Sequence, residues 1–99
     1  MNNLSSSERS FLRSQAHHLE PVVLIGKNGV TGGAIKTIDK TLDSRELIKI
    51  KFRGFKDEKQ ILSEKIAGLT NSAVVGIIGH TLIIFRQNHD LEKQIYSIL

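Results

Sequence analysis

The sequence predicts a single α/β (α+β) domain in the order α-β-α-β-α-β-β, with three helices packed on one four-stranded mixed sheet. Three observations predict it. The chain has 99 residues, enough for one core, though such a domain buries only about 60 to 65% of its unfolded surface. Four short segments, 21–25, 47–55, 73–78 and 81–85, have strand length and are either apolar throughout or strictly alternating. Between them lie stretches whose apolar residues recur every three or four positions, the spacing of a helix that buries one face.

The first helix is expected over 6–18. Ser5-Ser6-Ser7-Glu8 reads as a capping box, and Phe11, Leu12, Ala16 and Leu19 follow at helical spacing. Pro21 then leads into Val22-Val23-Leu24-Ile25, a β-branched run stopped by Gly26, which has the look of a strand buried on both faces. A second helix over 31–43 carries Ala34, Ile35, Ile38 and Leu42 on one face, with Lys36, Asp39, Lys40 and Asp43 on the others.

From Leu47 to Phe55 the chain alternates. Ile48, Ile50 and Phe52 face the core while Lys49, Lys51 and Arg53 form a cationic row on the other side. The third helix is expected to begin near Asp57, capped with Gln60, to carry Ile61, Leu62, Ile66 and Leu69, and to end at Asn71. The last two strands, 73–78 and 81–85, are joined by Gly79-His80, a two-residue link suited to a hairpin. Only that pair is expected to be antiparallel, the strand-helix-strand connections being right-handed crossovers. Both strands are apolar on both faces, so each side of the sheet needs a cover. The domain is expected to span 1–87; in 88–99, Leu91, Ile95 and Leu99 fit a short helix and a docked tail equally well.

Composition narrows the function classes. The chain has no Cys, which removes disulfides, thiolate nucleophiles and Cys-based zinc sites and suits a reducing compartment, hence the expectation of a cytoplasmic protein. No basic-then-apolar leader opens it, and no run approaches the ~20 apolar residues of a membrane span. His17 and His18 are adjacent, so on a helix they point about 100° apart and cannot chelate one metal; His17 reads as a packing residue. No nucleophile elbow or carboxylate pair in a cleft is evident, so neither an enzyme nor a small-molecule substrate is expected. The net charge of +4 is uneven: residues 1–56 hold ten Lys or Arg and five Asp or Glu, the remainder four and five. A basic half favours a polyanion, because Lys and Arg that neutralise phosphates release counterions.

That basic half contains Gly26-Lys27-Asn28-Gly29-Val30-Thr31-Gly32-Gly33, between a strand and a helix. Glycine lets a ligand approach the backbone, and a helix starting just afterwards offers unpaired N–H groups to an anion. Nucleotide cofactors do not fit. The dinucleotide fingerprint requires a glycine where Asn28 stands and an acidic residue near the end of the next strand, where Lys49, Lys51 and Arg53 lie. A Walker loop requires Lys-Ser/Thr where Ala34-Ile35 follow Gly33. The backbone of a single-stranded nucleic acid fits better, with Gly26 and Gly29 flanking the contact residues Lys27 and Asn28. A structural turn is the alternative. Lys36 and Lys40, one helical turn apart, extend the same charge, and whether the cationic row joins them depends on its place in the sheet.

Three strings in order make a family recognisable: Leu12 through Thr31, including His17-His18-Leu19-Glu20-Pro21 and Gly26-Lys27-Asn28-Gly29; Glu46 through Lys51; and Ile78-Gly79-His80-Thr81 through Arg86. They resemble the CRM domain, named for chloroplast RNA splicing and ribosome maturation, in its stand-alone bacterial form. The resemblance implies a fold similar to the C-terminal domain of initiation factor three and an RNA-binding module without enzymatic activity or cofactor. It also implies association with the ribosomal RNA of the large-subunit precursor, the family's RNA-contacting loop mapping onto Gly26, Lys27, Asn28 and Gly29. From the residues themselves, Thr31 is expected to join that contact, with Lys36, Lys40 and, on the first helix, Arg13 adding charge. The protein is expected to act as a monomer. An adaptor that docks on a ribosomal protein or assembly factor is the runner-up. His80 stands where the family often has Lys or Arg, and the tail lacks the family's basic ending.

Overall fold

Ser5 opens α1 (Ser6–Gln15) with the expected capping box: its Oγ accepts from the Glu8 amide at 3.1 Å, and Glu8 Oε1 accepts from the Ser5 amide at 2.8 Å. The structure, a computed structural model, describes residues 4–96. A 3-10 turn, Ala16–His18, follows α1 and leads into β1 (Pro21–Ile25). Thr31 caps α2 (Gly32–Arg45), its Oγ1 accepting from the Ala34 amide at 3.1 Å. Gly32 and Gly33 thus form the first turn of that helix.

β2 (Leu47–Phe52) stops three residues earlier than the alternation suggests, because Gly54 and Phe55 take φ of +92° and +58° and turn the chain. The same turn displaces the next helix. α3 (Lys59–Thr70) starts after Glu58 with no side-chain cap, so the expected Asp57–Gln60 cap does not form; the Glu58 amide instead closes the turn on the Phe55 carbonyl at 3.1 Å. Asn71, at φ +52°, ends α3 as expected. β3 (Ala73–Ile78) and β4 (Thr81–Phe85) form the hairpin around Gly79, whose φ is +59°.

The sheet order is β1-β2-β4-β3. β1 is parallel to β2, whereas β4 is antiparallel to both β2 and β3, so the hairpin pair is not alone in being antiparallel: β4 takes the free edge of β2 and pushes β3 to the outside. Register shifts interrupt β1 between Pro21 and Val23, and β3 between Val74 and Gly76.

Each face has its own core. On one side α1 buries Leu12 and Ala16 against Leu47, Val75, Ile83 and Phe85. On the other, α2 and α3 bury Ile38, Leu42 and Ile66 against Ile48, Ile50 and Phe52, the face that period two assigned to the core. β1 is not buried on both faces as its composition suggested. It is an edge strand, α1 packs on β3 at the opposite edge, and Leu24 stays 47% exposed. An apolar run therefore marks burial here only at Ile25.

Residues 88–96 are a docked tail with a single 3-10 turn, Leu91–Lys93, and not a helix with a buried face: Leu91 and Ile95 are exposed, while Leu99 lies outside the described residues. Glu46, fully buried at φ +46°, holds the tail. Its Oε1 accepts from the amides of Ile95 (2.6 Å) and Tyr96 (3.0 Å), and its Oε2 from the amide of Asn88. Arg86 joins the layers by donating to Asp39, Asp43 and the Thr70 carbonyl.

Candidate nucleic-acid interface

The parallel pairing of β1 and β2 brings the ends of both strands to one side of the molecule. There the chain leaves β1 through Gly26-Lys27-Asn28-Gly29, a turn closed by the Gly29 amide on the Gly26 carbonyl at 2.9 Å. Gly29 has φ +71°, a left-handed conformation that disfavours side chains. Gly26 differs: a Cβ there would meet nothing within 4 Å. The fold itself therefore does not require glycine at 26.

Lys27 and Asn28 are exposed at the tip of this turn. The Gly32 and Gly33 amides have no acceptor among the described residues, Thr31 being occupied by the amides of Ala34 and Ile35. The loop thus presents a cation, a directional amide side chain and the positive end of a 14-residue helix together. Lys36 and Lys40 continue from it along the exposed side of α2, and Lys40 borders a shallow hollow with Thr41, Arg45 and Val22 of β1. Arg45 was not singled out from sequence, because it lies past the expected end of the helix.

The cationic row also reaches the loop. The Arg53 amide donates to the Ile25 carbonyl at 2.8 Å, and the Phe55 ring lies 3.9 Å from where a Gly29 Cβ would stand. Neither neighbour could be read from spacing: the Arg53 contact continues the parallel pairing of β2 with β1, and the Phe55 contact comes from the positive-φ turn at 54–55. Arg13 is not part of this cluster. It lies across Gly76 of β3, at the far edge of the sheet, three strand spacings or about 14 Å from β1. His17 is exposed, not packed; it edges a hollow of about 300 Å³ with Lys49, Ile78, Thr81 and Ile83.

Among the described residues the ion pairs are those of Arg86 with Asp39 and Asp43, so Lys27, Lys36, Lys40, Lys51 and Arg53 keep their charge available. No group of three or more His, Asp or Glu in the described residues is placed to hold a metal ion, and no described helix is long and apolar enough to cross a membrane.

Fold and loop together define a class: a small α/β module that presents a glycine-flanked cationic loop where a parallel strand passes into a helix. The chain belongs to the CRS1 / YhbY (CRM) domain family, whose profile matches residues 4–86. A Haemophilus influenzae protein named "RNA-binding protein" is 38% identical over 96% of this chain and 97% of its own length. A Bacillus subtilis protein named "Probable RNA-binding protein YqeI" is 36% identical over 93% and 96%. The solution structure of a Staphylococcus aureus protein superposes with a TM-score of 0.80 at 35% identity, covering 96% of this chain and all of that one.

Proposed function

We propose that this protein is a non-enzymatic RNA-binding module that grips the backbone of ribosomal RNA through Gly26-Lys27-Asn28-Gly29 and acts on the precursor of the large ribosomal subunit. The observation that carries the RNA contact is the loop itself. Lys27 and Asn28 stand exposed beside the unpaired Gly32 and Gly33 amides at the start of α2, and the space around Gly26 is open. A phosphate held there meets a charge, a hydrogen-bond donor and a helix N-terminus at once. Thr31 positions that helix start by capping it, and Lys36 and Lys40 draw the polyanion toward it. The ribosomal assignment rests on membership of the CRM family.

RNA affinity should fall steeply with salt, and Lys27→Ala should lower the slope of log K against log salt by about one unit. An association that ignores salt, or survives replacement of residues 26–29 by a turn without glycine, would point to a protein-docking adaptor. Crosslinking in cell extract tests the ribosomal part: reads should concentrate in large-subunit precursor RNA, and an even scatter over messenger RNA would remove it.

A further inference from the structure

We infer that the uncovered half of the sheet face on the α1 side is a second RNA surface, one that carries a single-stranded segment away from the loop along β2. The inference rests on the RNA reading of the loop and extends it to residues that reading does not use.

Strand register sorts this face into rows. Leu47, Phe85 and Ala73 form one row across the sheet, and α1 buries it. Pro21, Lys49, Ile83 and Gly76 form the next; Arg13 and His17 roof its far part, and Lys49 is half-buried. Leu24, Lys51, Thr81 and Ile78 form the third, which stands open at both ends among the described residues: Leu24 is 47% and Ile78 57% exposed. Leu24 and Ile78 thus flank the cations with apolar surface at the two ends of this open row.

The charge on this face selects the partner. Lys49, Lys51 and Arg53 stand in one column, alternate residues of a strand being about 6.7 Å apart, a step similar to that between phosphates of an extended strand. None of the three rows contains a carboxylate. The column ends at the loop, because Arg53 is hydrogen bonded to Ile25, the residue before Gly26. An RNA backbone leaving Lys27 therefore finds Arg53, Lys51 and Lys49 in succession. Its bases lie over Leu24 on one side and toward Thr81 and Ile78 on the other. The column ends at the hollow, where His17, Lys49 and Thr81 supply polar groups above an apolar floor of Ile78 and Ile83. Aliphatic packing here takes the place of the aromatic platforms common in single-strand binders.

The test uses the full chain and a labelled oligouridylate of about 12 nucleotides, with anisotropy measured over a salt series. Neutralising the column (Lys49→Ala, Lys51→Ala, Arg53→Ala) should lower the salt slope by about two units. It should also weaken binding at physiological salt by on the order of tenfold or more, with the melting temperature reported alongside. Lys51→Glu alone, at an exposed position, should weaken binding more than Lys51→Ala. Amide shifts of Leu24, Lys51, Thr81 and Ile78 should move on titration. If the column variants bind as wild type while Lys27→Ala does not, the second surface is overturned and the loop reading stands. If the column variants lose binding while loop variants keep it, the loop reading fails and the sheet surface stands alone. An acidic peptide that moves those amides when the oligonucleotide does not would overturn the inference in favour of a protein partner.

Discussion

At the residue scale the two glycines that flank Lys27 and Asn28 are present for different reasons. Gly29 is fixed by its backbone: at φ +71°, Gly29→Ala should cost about 1 kcal/mol of stability in thermal denaturation. Gly26 has open space where a Cβ would go, so Gly26→Ala should leave stability within about 0.5 kcal/mol of wild type. If an RNA backbone packs against that position, the same variant should nonetheless bind less tightly, and stability and affinity measured together separate the two effects. The loop was legible in the sequence because glycine spacing and one lysine are local signals. Its neighbours Arg53 and Phe55 were not: Arg53 arrives through the parallel pairing of β2 with β1, a long-range contact, and Phe55 through a turn whose positive φ a phenylalanine does not announce. Arg13, expected from the sequence to add charge to the loop, is carried by α1 to the opposite edge of the sheet.

At the element scale the tail depends on Glu46. A buried carboxylate receiving three backbone N–H groups is a strong local clamp, and Glu46→Ala should lower stability by about 3 kcal/mol and free 88–96 to protease. Glu46→Gln, with one accepting oxygen, should fall between. Burial, and then the Glu46 carboxylate, push the Tyr96 phenol above its ordinary value. A raised value favours the neutral phenol in the fold, so its contribution is intact below the unfolded value of about 10 and is lost as pH rises from there through the folded one. Melting temperatures followed past pH 10 should decline more in wild type than in Tyr96→Phe. Helices and strands themselves were legible, since the Ser5 capping box, period two and the Gly79-His80 link are short-range, whereas the start of α3 was shifted by the turn at 54–55. β1 was misread as doubly buried because an apolar pentapeptide does not say whether its strand lies at the centre or the edge of a sheet. The tail was undecided because its anchor lies over 40 positions earlier in the chain.

At the scale of the whole molecule, one sheet separates two cores, so neither can melt without exposing the other. Leu12→Ala on the α1 side and Ile38→Ala on the α2 side should each cost about 3 kcal/mol, both residues being fully buried. Each should shift one common transition without splitting it, which circular dichroism and Tyr96 fluorescence would report together. The order of strands was the part of this architecture least accessible to sequence, because β2 and β4 meet across an intervening helix and strand. That order leaves β1 and β3 as the two margins of the sheet, and both carry the register shifts, with Pro21 adding a missing N–H at the start of β1. A margin of uneven pitch cannot offer a regular ladder to another copy of itself. The sheet is thereby guarded against growing strand by strand into aggregates, even though one of its faces is left open.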